Sequence, residues 1–566
     1  MVDAGTFDAI VVGSGISGGW VAKELAEKGL KVLVLERGRN IEHGADYNDG
    51  LSPWELPGED KIAEDELDHD YTVQRQNYAF SAANKHFWVK DSESPYSTPE
   101  GKPFNWFRGF HLGGRSLMWG RMSLRWSDLD FVANKKDGHG SDWPIRYADL
   151  APWYDHVEAF AGVSGSLEGL AQLPDGDFLK PMGLNAVEAD FKKKLEAKFP
   201  GRTVIPPRVA NLSEVRQHHL DLGRGPCQYR SICHRGCSYG AYFSSLSATL
   251  PAARRTGNLT VVTDAIVHSV IHDPKSNRVT GVRVMDAKTR KGRTYHGKMI
   301  FLNASTIPTA QILLNSKSAA FPNGLANSSD MVGRNLMDHV GGAVAMGVYP
   351  GFEDRYYRGR RPQANIIPRY RNVDSQEEYL RGFSLGTMAF RSNWKLASMA
   401  PVGVGAAAKA RMRGPGPWMM FVGGSAEMLP NRDNRVTLHA TRKDNWGMAI
   451  PHIECTPGDN DRKLVAAAQA DAEAMLTAAG VHIINKGHGP GTPGATIHEM
   501  GTAHMGTDPK TSVLNKYSQA HDVPNLFITD GSAMASTATQ NPSLTYMALS
   551  ARAAHFAVEF LKAGKI

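Results

Sequence analysis

A chain of 566 residues is too long for one ordinary hydrophobic core, so at least two domains are expected. Hydrophobic residues make up 42% and charged residues 21%, a balance that fits a globular protein and argues against a disordered one. The net charge of +7, from 64 basic and 57 acidic residues, comes with no nucleic-acid motif, and no apolar run approaches the roughly 18–20 residues of a membrane-spanning helix.

The first strand begins by Phe7, leaving no room for a secretory signal, so the chain taken alone is expected to be cytoplasmic unless a partner carries it out. Phe7-Asp-Ala-Ile-Val-Val-Gly13-Ser-Gly15-Ile-Ser-Gly18 reads as an apolar strand and a glycine-rich turn. An amphipathic helix follows, then Leu33-Val-Leu-Glu36. Gly13 lets the chain turn sharply, Gly15 lets backbone approach a pyrophosphate, and Gly18 lets helix pack on strand. The helix N-terminus offers phosphates free N–H groups and a partial positive charge. Glu36, roughly 20 residues on, can accept hydrogen bonds from an adenosine ribose. The chain is read as a dinucleotide binder.

Residues 40–103 form a polar, loop-rich excursion, and Phe107 to Gly120 is a glycine-rich loop with an aromatic follow-on. Asp149 to Pro200 looks mostly helical. Four strand-like runs lie between Asn258 and Asn303, and Ser305 to Asn315 resembles a helix. Gly351 to Asn372 is crowded with Arg355, Arg358, Arg360, Arg361, Arg369 and Arg371; a lid or docking surface competes there with a solvated loop, and the loop is the expectation. Residues 402–417 read as another loop, and 346–490 carry no motif. Asn525-Leu-Phe-Ile-Thr-Asp530-Gly531 is a strand ending in an acid. Asn541-Pro542 then precedes an amphipathic helix with Leu544, Met547, Ala548 and Ala551 on one face.

Three of the four cysteines, Cys227, Cys233 and Cys237, fall in one Cys-x5-Cys-x3-Cys run flanked by Arg230 and Arg235. Clustered thiolates hold iron–sulfur clusters, and flanking arginines would offset their negative charge. A zinc site completed by His234, a disulfide with a spare thiol, and inert buried cysteines remain open. Cys455 stands alone and is read as structural.

Taken together, the N-terminal fingerprint, Gly113-Gly114, Gly333-Arg-Asn-Leu-Met-Asp338-His339, Ile497-His498-Glu-Met-Gly501-Thr502, and Asp530-Gly531 through Asn541-Pro542 resemble the glucose–methanol–choline flavoprotein oxidoreductases, nearest the pyranose-oxidase-like branch. The resemblance implies FAD and a mixed α/β fold. Residues 1–45, 104–145, 223–345 and 491–566 would form a discontinuous Rossmann-like FAD domain. Residues 146–222 and 346–490 would form a substrate domain on an antiparallel sheet, and 46–103 the excursion. Gly113, Gly114, Asp530 and Gly531 would join the cofactor site.

Oxidising an alcohol requires removing the hydroxyl proton while hydride leaves the same carbon, and neutral imidazole suits the proton step. The resemblance assigns that step to His498 and the holding of the oxygen to Asn541, with His504 outside the pair. Asn541 could also cap the following helix. Trp119 and Trp126 could stack on a sugar, although buried tryptophans are usually core. Pyranose oxidases attach flavin through a histidine where this chain has Met118, so FAD is expected to be non-covalent beside Met118.

The cysteine run resembles one in bacterial flavin sugar dehydrogenases, which implies a cluster, [3Fe–4S] in preference, and transfer to a cytochrome c-type acceptor. The expected activity is oxidation of a sugar or glycoside hydroxyl of the glucoside 3-dehydrogenase type, at C3. A small subunit bearing an export signal would carry the chain to the periplasm. An oxygen-using sugar or C-glycoside oxidase, a non-redox lyase and a non-catalytic flavoprotein are the alternatives.

Overall fold

The computed structural model describes residues 2–355, 361–392 and 404–566. Its first sheet is built from β1 (Val2–Val12), β2 (Val32–Leu35), β3 (Leu259–Val262), β4 (Ala265–Asp273), β5 (Arg278–Asp286) and β6 (Gly292–Leu302), in the order β3-β2-β1-β6-β5-β4. β1 pairs in parallel with β2 and β6, and β2 with β3; β4 and β5 extend the sheet antiparallel. A short late strand, Leu526–Ile528, joins β6 in parallel with Phe527 opposite Phe301. Residues Ala9–Val12 and Val32–Leu35 are apolar without alternation and buried throughout, as parallel strands covered on both faces must be. The helix Ile16–Glu27 covers one face, and the C-terminal helix Ser543–Lys562 packs on it through Ala553, Ala554 and Ala557.

The second sheet is antiparallel: β7 (Val340–Tyr349), β8 (Asn365–Ile367), β9 (Phe383–Arg391), β10 (Trp418–Ala426) and, after the ribbon β11 (Arg435–Lys443) and β12 (Ala449–Glu454), β13 (His482–Lys486). Its order is β13-β7-β10-β9-β8. Burial alternates along β7 and β9, and the helix Asp459–Ala478 covers β7 and β10 with Leu464, Ala468, Ala472 and Met475. Among the described residues no helix is long and apolar enough to cross a membrane.

Three local expectations need correction. Between Asp149 and Pro200 the helices are Tyr147–Ala161 and Ala186–Lys198, with irregular chain between them, because Gly162 at φ 78° stops the first. Residues 402–403 lie outside the described residues, but Ala406–Arg413 is a helix rather than a loop. Arg358 and Arg360 also lie outside the described residues. Arg355 is exposed, as expected of a solvated loop, but from Arg361 on the arginines are not solvated: Arg361 makes a bidentate pair with buried Glu188 at 2.7 Å on both arms. Arg369 meets Glu427 at 3.2 Å, and Arg371 meets Asp471 at 2.7 Å. Buried carboxylates far away in sequence claim them, since an unpaired buried charge is costly.

Candidate active site

A cavity of about 460 Å³ runs from the β1 turn to the start of the C-terminal helix. Gly13, Gly15, Glu36, Gly114, Met118, Asp530, Gly531, His498 and Asn541 all line it. Gly13 turns the chain at φ 96°, and a Cβ there would sit 2.3 Å from the Asn303 carbonyl oxygen. A Cβ on Gly18 would sit 1.9 Å from the Gly13 carbonyl oxygen, whereas one on Gly15 would meet nothing within 4 Å. The outer glycines are therefore demanded by the protein itself, while the space beside Gly15 is open to the cavity.

Gly113 supports the same turn, its N–H donating to Ser14 Oγ at 2.9 Å, and Ser14 Oγ donates to Glu36 at 2.5 Å. Burial pushes the Glu36 carboxyl above its usual range. Asp530 faces the cavity, but its carboxylate accepts from Ser305 N–H, Thr309 Oγ1 and Ser532, which ties the helix Thr306–Asn315 to the last strand. Gly18→Ala is expected to lose the dinucleotide together with folding stability. Gly15→Ala keeps the fold and loses cofactor affinity. Bound dinucleotide per protein and thermal unfolding separate the two.

At the far end, His498 Nε2 lies 3.1 Å from Asn541 Nδ2, and His498 Nδ1 lies 2.9 Å from His339 Nδ1. Ile497, just before, adopts φ 68°, an outlier for a β-branched residue. Such strain persists only where the surroundings over-determine it. Buried Asp338 does so: its carboxylate accepts from the backbone N–H of Gly494 at 2.8 Å and of His498 at 3.0 Å, and from the Thr496 hydroxyl. Burial, with His339 and Arg115 adding to it, holds the His498 imidazolium well below 6.5, so the ring is neutral.

Cys227, Cys233 and Cys237 line a second, small pocket with Asn211, whose carboxamide oxygen is buried without a partner. None of the three is in a disulfide. Burial pushes the Cys227 thiol up to about 11, while the Tyr229 N–H opposes the rise. The N–H groups of Ala241 and Tyr242 act in the same way on Cys237. Among the described residues no group of three or more His, Cys, Asp or Glu side chains is arranged to hold a metal ion. The flanking arginines are also not free: Arg230 pairs with Asp49, and Arg235 donates to the Leu51 carbonyl at 3.3 Å.

The N- and C-terminal patterns of the GMC oxidoreductases match residues 7–341 and 430–550. The chain belongs to that family. It is 27% identical to the fructose dehydrogenase large subunit of Gluconobacter japonicus over 98% of both chains. It is 28% identical to paromamine 6'-oxidase of Streptomyces fradiae, over 98% of this chain and 91% of the relative. A solved variant of formate oxidase from Aspergillus oryzae RIB40 superposes with a TM-score of 0.62 at 15% identity, over 99% of this chain and 100% of that one, and so shares the fold.

Membership in the GMC family makes the dinucleotide FAD and the chain an FAD-dependent oxidoreductase acting on CH–OH groups. For a GMC chain, the cavity brings together residues from four distant segments, around Gly13, Met118, His498 and Asn541. His504 is elsewhere, bonded to Thr511 O at 2.9 Å. Trp119 lines the cavity, but Trp126 is fully buried against Phe131 and Trp143 as core. Sequence reasoning quoted His339 only as part of a motif and missed the Arg115–Glu499 pair, whose guanidinium forks the carboxylate at 2.8 and 3.1 Å on the cavity wall. Arg115 follows the glycine pair directly, which was the only signal for it.

Proposed function

We propose that this chain is the flavoprotein of a sugar dehydrogenase. It oxidises a secondary hydroxyl of a pyranoside, C3 in preference, to a ketone and passes electrons through an iron–sulfur cluster to a cytochrome c-type acceptor. The observation that carries the reading is the His498–Asn541 pair facing the glycine-cradled cavity. The two side chains lie 3.1 Å apart on the cavity wall, within reach of one hydroxyl. There the hydroxyl donates its proton to His498 Nε2, and Asn541 Nδ2–H donates to the oxygen as charge develops on it. FAD, when bound, supplies the hydride acceptor. Gly13, Gly15, Gly18, Glu36, Gly113, Gly114 and Gly531 would hold it, with Met118 alongside. A thioether makes no covalent link to flavin, so acid precipitation is expected to release all flavin into the supernatant.

The full-length likeness to a fructose dehydrogenase large subunit supports both the sugar substrate and a multi-subunit assembly. The donor set at Cys227, Cys233 and Cys237 supports a cluster over zinc: three thiols on one pocket, with backbone N–H groups directed at two of the sulfurs. A cluster held there would carry electrons singly. The periplasm is the proposed location, reached with a small signal-bearing subunit.

The test is anaerobic purification followed by absorption and low-temperature EPR spectra before and after methyl β-D-glucopyranoside. Flavin bleaching with a changing iron–sulfur signal is the expected result. Bleaching without iron, reversed by air, would instead make the chain an oxidase with structural cysteines.

A further inference from the structure

His339 closes the motif Gly333 to His339 at the mouth of β7 and is 2% exposed. Its Nε2 faces two carbonyl oxygens, of Thr537 at 3.1 Å and of Ala538 at 3.0 Å. Carbonyls only accept, so Nε2 carries a hydrogen. Burial holds the ring's pKa down at about 4, so at neutral pH the ring carries one hydrogen and its Nδ1 is a bare lone pair. That lone pair lies 2.9 Å from His498 Nδ1. Two lone pairs would repel at this distance, so His498 Nδ1 carries the hydrogen and donates. His498 is neutral as well, which leaves Nε2 bare toward Asn541, whose Nδ2 donates to it at 3.1 Å.

We propose that His339 is a positioning residue that sets the tautomer of His498, so that a lone pair rather than a proton meets the reacting hydroxyl. This rests on the reading of His498 as the base. Backbone carbonyls of residues 537 and 538 thus determine, through two rings, which nitrogen does the chemistry. When the hydroxyl gives its proton to His498 Nε2, the carbon–hydrogen pair leaves as hydride to the flavin. The imidazolium then keeps its Nδ1–H against His339. The new proton travels no further in that direction, because His339 Nε2 is already occupied against the two carbonyls, so it returns to the cavity. In Ser-His-Asp hydrolases a buried carboxylate orients the imidazole, and a partner that imposes the wrong tautomer costs about 10⁴ in kcat. Here the orienting partner is neutral. The charged or titratable groups near the pair are Arg115, Glu499 and Asp338.

Two variants separate positioning from mere packing. His339→Gln keeps one donor for the carbonyls and one acceptor for His498; His339→Leu keeps neither. With histidine labelled by nitrogen-15 in the holoenzyme, and His498→Asn identifying the signal, His498 is expected as the Nδ1–H tautomer in the native chain and in His339→Gln. In His339→Leu that tautomer is lost. Stopped-flow flavin reduction by methyl β-D-glucopyranoside is expected within about tenfold of native for His339→Gln. For His339→Leu it falls roughly 10²–10⁴-fold, the worth of a general base, with the half-saturating sugar concentration little changed.

An Nε2–H tautomer of His498 in the native protein would overturn the proposal. So would His339→Leu that holds FAD and reduces at the native rate. If His339→Leu fails to hold FAD, the spectra of the native and glutamine proteins decide alone. Native-rate reduction by His498→Ala would remove the base assignment without touching the tautomer result, so the two readings fail separately.

Discussion

Replacing His498 with alanine is expected to slow anaerobic flavin reduction by roughly 10²–10⁴-fold, with FAD content unchanged. The glycines proposed to hold the cofactor, Gly13, Gly15, Gly18 and Gly114, are unaltered in this variant, so binding and chemistry are expected to come apart. The pH profile carries a second signature. Burial, His339 and Arg115 keep the His498 cation well below 6.5, so the proposed base stays deprotonated as the medium begins to acidify. The acid limb of the reduction rate is therefore expected below pH 6.5 rather than at it. Stability moves in the same direction. His498, with His339, His111 and His504 at about 4, binds its proton more readily unfolded than folded. The unfolded chain takes up more protons below about pH 6.5, and stability falls as the pH drops through that window. A rate limb at or above pH 6.5 that disappears in His498→Ala would contradict the buried, neutral base.

Cys227→Ser is expected to act on the other half of the reaction. Iron affinity should fall by at least the roughly 10–100-fold that loss of even an outer partner brings to a metal site, and iron per protein should fall with it. Reduction of cytochrome c by sugar should fall with it. Anaerobic flavin bleaching should stay at the native rate, because the cysteine pocket shares no lining residue with the flavin cavity. A native protein without iron would end the cluster reading, and a serine variant with full iron would remove Cys227 from the ligand set.

The dinucleotide turn was legible because its geometry is local: strand, Gly13, Gly15, Gly18, helix and Glu36 lie in one unit, and steric crowding dictates the outer glycines. The four strands before Asn303 were legible for the same reason, as runs of apolar residues. His498 and Asn541 could be picked out only through the family's motifs, since nothing in their own neighbourhoods implies that they meet. The arginines after Gly351 misled because a buried ion pair depends on both partners. Glu188, which claims Arg361, lies on a helix far upstream with no mark to distinguish it. His339 was invisible as an individual because its role depends on two carbonyls from residues 537 and 538, and backbone oxygens have no letter in a sequence. The strained φ of Ile497 is equally silent.

The parallel pairing of Leu526–Ile528 with β6 has a bearing on how the enzyme is made. The nucleotide turn leaves the ribosome first, but its sheet is completed by a strand near the other end of the chain, and the cavity wall by Asp530, Gly531 and Asn541. Contacts of such long sequence separation form late. A nascent chain that stops short of Asn541 therefore has the fingerprint without the vessel. Flavin retention would then report that the late strand Leu526–Ile528 has docked on β6.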